Sequence, residues 1–468
     1  MAKFFKLNFQ ESCYLLIVSF VYCLTIFFYI FKYPISIDEA LTFEWFTSKG
    51  AFTSLTTYPE PNNHVLFSLI SNVFESLPIT PILKLRLPNV LLGLLLVVIV
   101  YLFLKKEFSH KISVLPHTIF VFSYAITCYS VLARGYMLVI FSSTMCFIFL
   151  LYYLRYNNFK YFKYFILFSI IGFWSIPLFL YPFLSFIVVL FVNFKKIKIK
   201  DYKALFIGFL LISFSVCLFY FPIIYYNGLK SLIGNSAIQN RSLNDLNHYF
   251  DLFFRAYDNL IGINSFIIML SFVVVLLVSI VVNSRDRHEK SFVLILISIP
   301  YFFSFLQNIW LSPRMLVYLI FPFIFGISLL LGYFKIFSKI PLFFIYIFAI
   351  LIFTIEMRIF NKTHKESFLS GDLVGEQIWR YIDINNKKNP RIFIDAVDEP
   401  YDYFILSYYL NCNSSNFKID TSFLNFKKNN TNLYDYMLIK EKRVKELEFL
   451  NTFNSDNQIY DYLIYKRE

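Results

Sequence analysis

The sequence predicts a polytopic, mainly α membrane protein with about eleven transmembrane helices, followed by a small C-terminal α/β domain. Three observations predict it. The 468 residues are 58% hydrophobic, 21% aromatic and only 16% charged, with a mean hydropathy of +0.61; soluble chains carry about 25% charged residues. Uncharged runs of about 20 residues, the length a bilayer core demands, recur along most of the chain. Lys and Arg gather in alternate short loops between those runs. Together these exclude a cytosolic enzyme, a disordered chain, a coiled coil and a disulfide-rich secreted domain.

The runs fall at roughly 12–31, 87–104, 112–132, 135–154, 164–176, 177–194, 204–226, 260–282, 291–310, 315–334 and 340–355. Lys3 and Lys6 precede the first run and no small-residue cleavage site follows it, so it reads as a retained helix with a cytoplasmic N-terminus. Lys105, Lys106, Lys111, Arg155, Lys160, Lys195, Lys196, Arg285 and Arg287 then all fall on inner turns, as the positive-inside rule requires. The net charge of +13 is therefore topological, and nucleic acid is not an expected partner. An odd number of spans puts the polar tail on the extracytoplasmic side of the plasma (inner) membrane. That tail, 358–468, carries strand-like runs at Arg391–Asp395 and Asp435–Ile439 and amphipathic helices at Leu373–Ile384 and Tyr401–Leu410. The division is thus 1–357 for the membrane domain and 358–468 for the appended domain. Five of six cysteines lie in apolar runs, and no Cys-x-x-Cys or His-x-x-x-His spacing suggests zinc.

Charge is missing from the middle of every run, where ion-coupled transporters place it. The groups able to do chemistry gather at the outer membrane edge: Asp38, Glu39, Glu44, Glu60, His64, Lys84, Arg86, Arg134, Arg255 and Arg314. The first outer loop, 33–85, holds most of them. Ser36-Ile-Asp-Glu39 is a capping box opening a short helix, which accounts for Glu39. Asp38 is not needed by the cap and points about 100° away from Glu39, free to face a cavity. Tyr58-Pro-Glu-Pro-Asn-Asn-His64 is a shaped loop, with His64 where the next helix opens. Ala133-Arg-Gly-Tyr136 makes a tight outer turn that asks for the Gly but not for Arg134. Snorkelling to headgroups is the ordinary explanation of such a base; binding a phosphate is the functional one. The same pair of readings applies to Arg314 in Leu311-Ser-Pro-Arg314, and to Arg86 at the head of the second span.

Asp38-Glu39-Ala40 on the first outer loop, the Pro-rich stretch ending in His64, Arg86-Leu87-Pro88 and the Ala133-Arg-Gly-Tyr136 turn resemble, in order and placement, the GT-C membrane glycosyltransferases. The protein O-mannosyltransferases and the bacterial aminoarabinose-type transferases are the groups most similar. The resemblance covers roughly 12–335. It departs from the mannosyltransferases where their His-Pro-Pro is here His64-Val-Leu. The resemblance implies inverting transfer of a sugar from a polyprenyl-phosphate donor to a hydroxyl of an extracytoplasmic acceptor, be it lipid, cell-surface glycan or protein. Asp38 would be the general base, with Glu39 beside it in the catalytic pair. Arg134, Arg314 and Arg86 would hold the lipid phosphate. Tyr58 and His64 complete the substrate-binding set, and a divalent ion, where one is used, would sit on Asp38, Glu39 and His64. No cofactor is required, and no phosphate-binding Gly-rich loop for ATP is present. The alternative is a flippase or a polymerase of polyprenyl-linked glycans.

Overall fold

The computed structural model describes residues 7–59, 63–233, 260, 272–278, 280, 287–307, 312–334, 339–384, 391–394, 401–413, 418–420, 435–440, 455–459 and 462–466. The first span is α1 (Phe9–Lys32), opened by a capping box in which Asn8 accepts the Glu11 N–H. One face buries Tyr14, Val18, Tyr22 and Ile26, while Leu16, Ile17, Phe20 and Leu24 are 56–70% exposed to the bilayer side. Beyond it come three short helices, α2 (Ile37–Trp45), α3 (Ala51–Thr56) and α4 (Val65–Phe74). The bundle continues with α5 (Pro81–Phe108), α6 (His110–Phe122), α7 (Tyr124–Val131), α8 (Tyr136–Tyr156), α9 (Phe159–Ser175), α10 (Leu180–Val192) and α11 (Tyr202–Asn227). After a gap follow α12 (Arg287–Gln307), α13 (Ile320–Phe334) and α14 (Leu342–Ile384).

Among the described residues seven helices are long and apolar enough to cross a membrane, or eight if the bent pair α6–α7 is one span. This is a multi-pass membrane protein. The run expected over 112–132 is broken by 43° at Ser123, whose hydroxyl donates to the Phe120 carbonyl and accepts the Ile126 N–H. Around Pro177 the chain divides as a 3-10 turn, Pro177–Phe179, between α9 and α10. The run at 260–282 and the outer loop at 227–259 lie mostly outside the described residues.

α8 is the central helix, buried along almost its whole length, whereas α11 and α14 are peripheral. The packing of α1, α5 and α7 is close enough to need a glycine. Tyr22 donates to Ser130 Oγ at 2.8 Å, and a Cβ on Gly93 would lie 1.9 Å from the Tyr22 hydroxyl oxygen. Gly93→Ala should therefore force the helices apart and cost about 1–3 kcal/mol. A lower melting temperature of the purified protein in detergent checks this.

At the C-terminus, α14 runs unbroken for 43 residues, about 65 Å at ~1.5 Å per residue. It passes through residue 357 without interruption. Its far end buries Ile378 and Ile382 against a five-stranded sheet. The strands are β1 (Arg391–Ile394), β2 (Lys418–Asp420), β3 (Tyr436–Lys440), β4 (Ser455–Ile459) and β5 (Tyr462–Lys466), in the order β2-β1-β3-β5-β4. β1 is parallel to β2 and β3, while β5 is antiparallel to β3 and β4. The helix α15 (Tyr401–Asn413) lies between β1 and β2 in the chain. Thr354 and Asn361 on α14 form i−4 back-bonds, and Asn361 also donates to the Tyr29 hydroxyl at 2.9 Å. Its Oδ1 accepts from Lys32 Nζ and the Tyr33 hydroxyl, which ties α14 to the end of α1.

Candidate active site

Most of the residues singled out in the sequence meet where α1 ends, α5 and α8 begin, and α2 lies across the bundle. The foundation is an ion pair with no exposure at either member, Glu39 with Arg86. Glu39 stands third in α2, where Ser36 accepts its N–H and its Oε2 accepts the Ser36 N–H at 2.9 Å. Arg86 Nε donates to Oε1 at 2.9 Å and Nη2 to Oε2 at 2.8 Å. The remaining guanidinium hydrogens reach the carbonyls of Ile30, Tyr33 and Pro34 at 2.8–3.1 Å. These lie at and just beyond the last turn of α1, where carbonyls lack helical partners. All five guanidinium donors are thereby used. Burial works to raise the Glu39 carboxyl, but Arg86 and the N–H groups of Ser36 and Ala133 outweigh it and hold it below its ordinary value.

Two expectations are corrected here. Arg86 has no hydrogen left for a lipid phosphate, and Glu39 has no open oxygen for a substrate proton. Both are scaffold.

That scaffold reaches the Ala133–Tyr136 turn. Ala133 N–H donates to Glu39 Oε1 at 2.7 Å, and Asn89, one turn beyond Arg86, donates to the carbonyls of Leu132 and Arg134 at 2.6 and 2.8 Å. Asn89 was not singled out in the sequence, although its i+3 spacing from Arg86 puts two polar groups on one face of an apolar span. His64, the residue before α4, completes the clamp: its Nδ1 accepts the Gly135 N–H at 2.6 Å. Gly135 has φ −68° and ψ 0°, values open to any residue, so turning is not why Gly is needed. The reason is close approach, since a Cβ there would sit 2.8 Å from His64 Cβ. Gly135→Ala should displace the imidazole and with it Arg134, lowering activity about 100-fold on the scale of a 1 Å misplacement. Steady-state assays at matched expression check this.

The open part of the site is Asp38 and the two arginines around it. The Asp38 side chain is 40% exposed. Its Oδ2 lies 3.2 Å from Arg314 Nη1 and 3.7 Å from Arg134 Nη2. Arg314 follows Pro313 in the 3-10 turn Pro313–Leu319 leading into α13 and is itself half exposed. Arg134 is buried, and its Nη1 donates to the Asp38 carbonyl at 3.2 Å and to Thr42 Oγ1 at 3.4 Å.

His64 Nε2 stands 3.4 Å from Arg134 Nη2. With Nδ1 accepting from Gly135, a neutral ring carries its proton on Nε2, which puts an imidazole N–H beside the Arg134 guanidinium. Burial, then Arg134 and Arg314, hold the His64 pKa well below the usual histidine range. Tyr136 meets the ring edge-on at 5.0 Å. Tyr58 is buried near Arg134, and burial pushes its phenol up to about 12. Its N–H donates to Asn227 Oδ1 at 3.4 Å.

Glu44 and Lys84 stand apart from this group, Glu44 bonded to Asn411 and Lys84 to the Glu75 carbonyl. Glu60 and Arg255 lie outside the described residues. Among the described residues no three His, Cys, Asp or Glu cluster as metal ligands. The donor set of Asp38, Glu39 and His64 also does not fit a divalent cation. Both Glu39 oxygens are taken, His64 Nδ1 is taken, and the space beside Nε2 and Asp38 is bordered by two guanidinium groups.

No family model matches this sequence, and no curated protein is similar to it in sequence. Among solved structures it is similar to ArnT from Cupriavidus metallidurans in the apo state. That likeness has a TM-score of 0.62 at 11% identity and spans 97% of this chain and 98% of that one. The chain therefore has the GT-C fold of a polytopic, mainly α membrane protein.

Proposed function

We propose that this chain is a membrane glycosyltransferase that moves a sugar from a polyprenyl-phosphate donor to an acceptor hydroxyl on the extracytoplasmic face of the plasma (inner) membrane. The N-terminus is cytoplasmic, and the site and the C-terminal segment lie outside. The observation that carries the reading is the half-exposed Asp38 carboxylate between Arg134 and Arg314, on a helix anchored from below by Glu39 and Arg86. A neutral hydroxyl is a poor nucleophile, and a close carboxylate supplies the base it lacks. A departing phosphate gains charge, and guanidinium groups already oriented in the site stabilise it without reorganisation.

The donor phosphate takes Arg134 and Arg314 over from Asp38, which releases the carboxylate toward the acceptor. The acceptor oxygen attacks the anomeric carbon from the face opposite the phosphate, and Asp38 takes its proton. The bond between the anomeric carbon and the phosphate oxygen breaks, and its electron pair leaves with the polyprenyl phosphate. The configuration inverts. Neutral His64 donates from Nε2 to the phosphate, and its own proton stays in place. Cleavage of the bond between sugar and phosphate supplies the driving force, so no nucleotide is consumed.

The test gives wild-type membranes radiolabelled polyprenyl-phosphate sugars, nucleotide sugars and the host's envelope acceptors. Transfer from the lipid-linked donor alone is the expected result. Movement of a lipid-linked glycan across the bilayer without any transfer would replace this reading with a flippase.

A further inference from the structure

Helix α15 of the C-terminal segment is seated directly on α2, the nine-residue helix that carries Asp38. Ile405, Tyr408, Tyr409 and Cys412 follow the i, i+3, i+4, i+7 spacing of a single helical stripe. Ile405 and Tyr408 are buried in one cluster with Ile35, Ala40 and Phe43, and Tyr409 and Cys412 pack against it. Leu406, on the adjoining face, is buried against the sheet. Phe43 meets Tyr408 edge-on at 5.0 Å and Trp45 meets Phe404 at 5.4 Å. Two polar bonds hold α2 at its ends. Tyr409 Oη accepts the Ile35 N–H at 3.3 Å, just before the N-cap, and Asn411 Nδ2 donates to Glu44 Oε1 at 2.5 Å in the last turn.

A helix of nine residues is below the ~12–15 at which an isolated helix becomes even marginally stable, so its placement is set by what packs on it. The bundle holds α2 through Glu39, bonded to Arg86 and Ala133, and through Arg134, which donates to the Asp38 carbonyl and to Thr42 Oγ1. Asp38, about 100° around the axis from Glu39, meets its arginines at 3.2 and 3.7 Å, distances that a small rotation of α2 would change. We propose that Tyr409 and Asn411 are positioning residues for Asp38. The C-terminal segment supplies the second support of α2 and fixes the rotation that sets the carboxylate between Arg134 and Arg314. This rests on the transferase reading above.

The test compares full-length wild type in nanodiscs with a Tyr409→Phe/Asn411→Leu double variant and with Arg391→Gln, an exposed change on the same segment. The double variant is expected to lose about 10-fold or more in kcat. Its donor KM and folded yield should stay at the wild-type values, while the acidic limb of its kcat–pH profile moves. Arg391→Gln should match wild type, and a Tyr409→Phe/Asn411→Gln variant, which keeps an amide at 411, should retain more kcat than the double variant. Unchanged kcat and pH profile in the double variant would overturn the inference, as would a fall in kcat matched by an equal fall in folded yield. A second readout needs no turnover: Trp45 emission, with the other three of the four tryptophans replaced by Phe. If wild type transfers no sugar, the transferase reading fails on its own. A shifted Trp45 emission in the double variant would then still support control of α2 by α15, and an unshifted one would overturn it.

Discussion

Asp38→Asn is expected to slow sugar transfer by about 10²- to 10⁴-fold, the usual contribution of a positioned general base, while the lipid-linked donor still binds. The substitution keeps the shape of the side chain and removes its negative charge and its capacity to take a proton. Asp38 is 40% exposed and makes none of the buried bonds that hold the scaffold, so the folded yield should be that of wild type. Removing its charge also frees Arg134 and Arg314 from their partner in the empty site. Donor affinity should therefore hold or rise, and the loss should appear in kcat. Single-turnover transfer and a separate binding measurement with polyprenyl phosphate check the two halves. Equal transfer by wild type and variant would remove Asp38 from the chemistry.

Glu39→Gln and Arg86→Lys are expected to fail differently, by losing the fold. Breaking a buried ion pair by changing one partner costs about 3–5 kcal/mol, because the other charge is left in a dry site. A lysine brings three donors on a single point, where Arg86 fills five positions around Ile30, Tyr33, Pro34 and Glu39. Combining the two changes should not rescue the protein, because each residue also satisfies backbone groups that its partner does not reach. Monodisperse yield after detergent extraction and the melting temperature check this. The pH dependence follows the same pair. The folded-state pKa of Glu39 is depressed, so its contribution is present above the unfolded carboxyl value of about 4.3 and is lost as pH falls through the lower folded value. Stability from this pair should be flat across neutral pH and fall only in strong acid. Adjacent carboxylates thus separate by assay: Asp38 by rate, Glu39 by stability.

Much of the site was legible in the sequence because its residues stand out from apolar surroundings. Asp38, His64, Arg134 and Arg314 are ionisable groups at the edge of uncharged runs, and they lie together. The role of Arg86 was not legible, because a base at the head of a span looks the same whether it faces a phosphate or a glutamate 47 positions away. Asn89 carried a weak signal in its spacing from Arg86. Gly135 was visible as part of a turn, but its use is the approach of an imidazole 71 positions away, which no local pattern encodes.

The sequence by itself determined the membrane character and most of the helices, since lipid leaves an apolar run no alternative to satisfying its backbone internally. It also determined the capping box that starts α2, the strands around Arg391 and Tyr436, and the amphipathic stripe of α15. Those are properties of neighbours along the chain. Only the tertiary structure decided which acid is scaffold and which is open, why Gly135 is small, and that α15 rests on α2. Each of these depends on which side chains meet after burial. At such distances along the chain a hydrogen bond from the Ala133 N–H to Glu39, 94 positions away, leaves no periodicity to read.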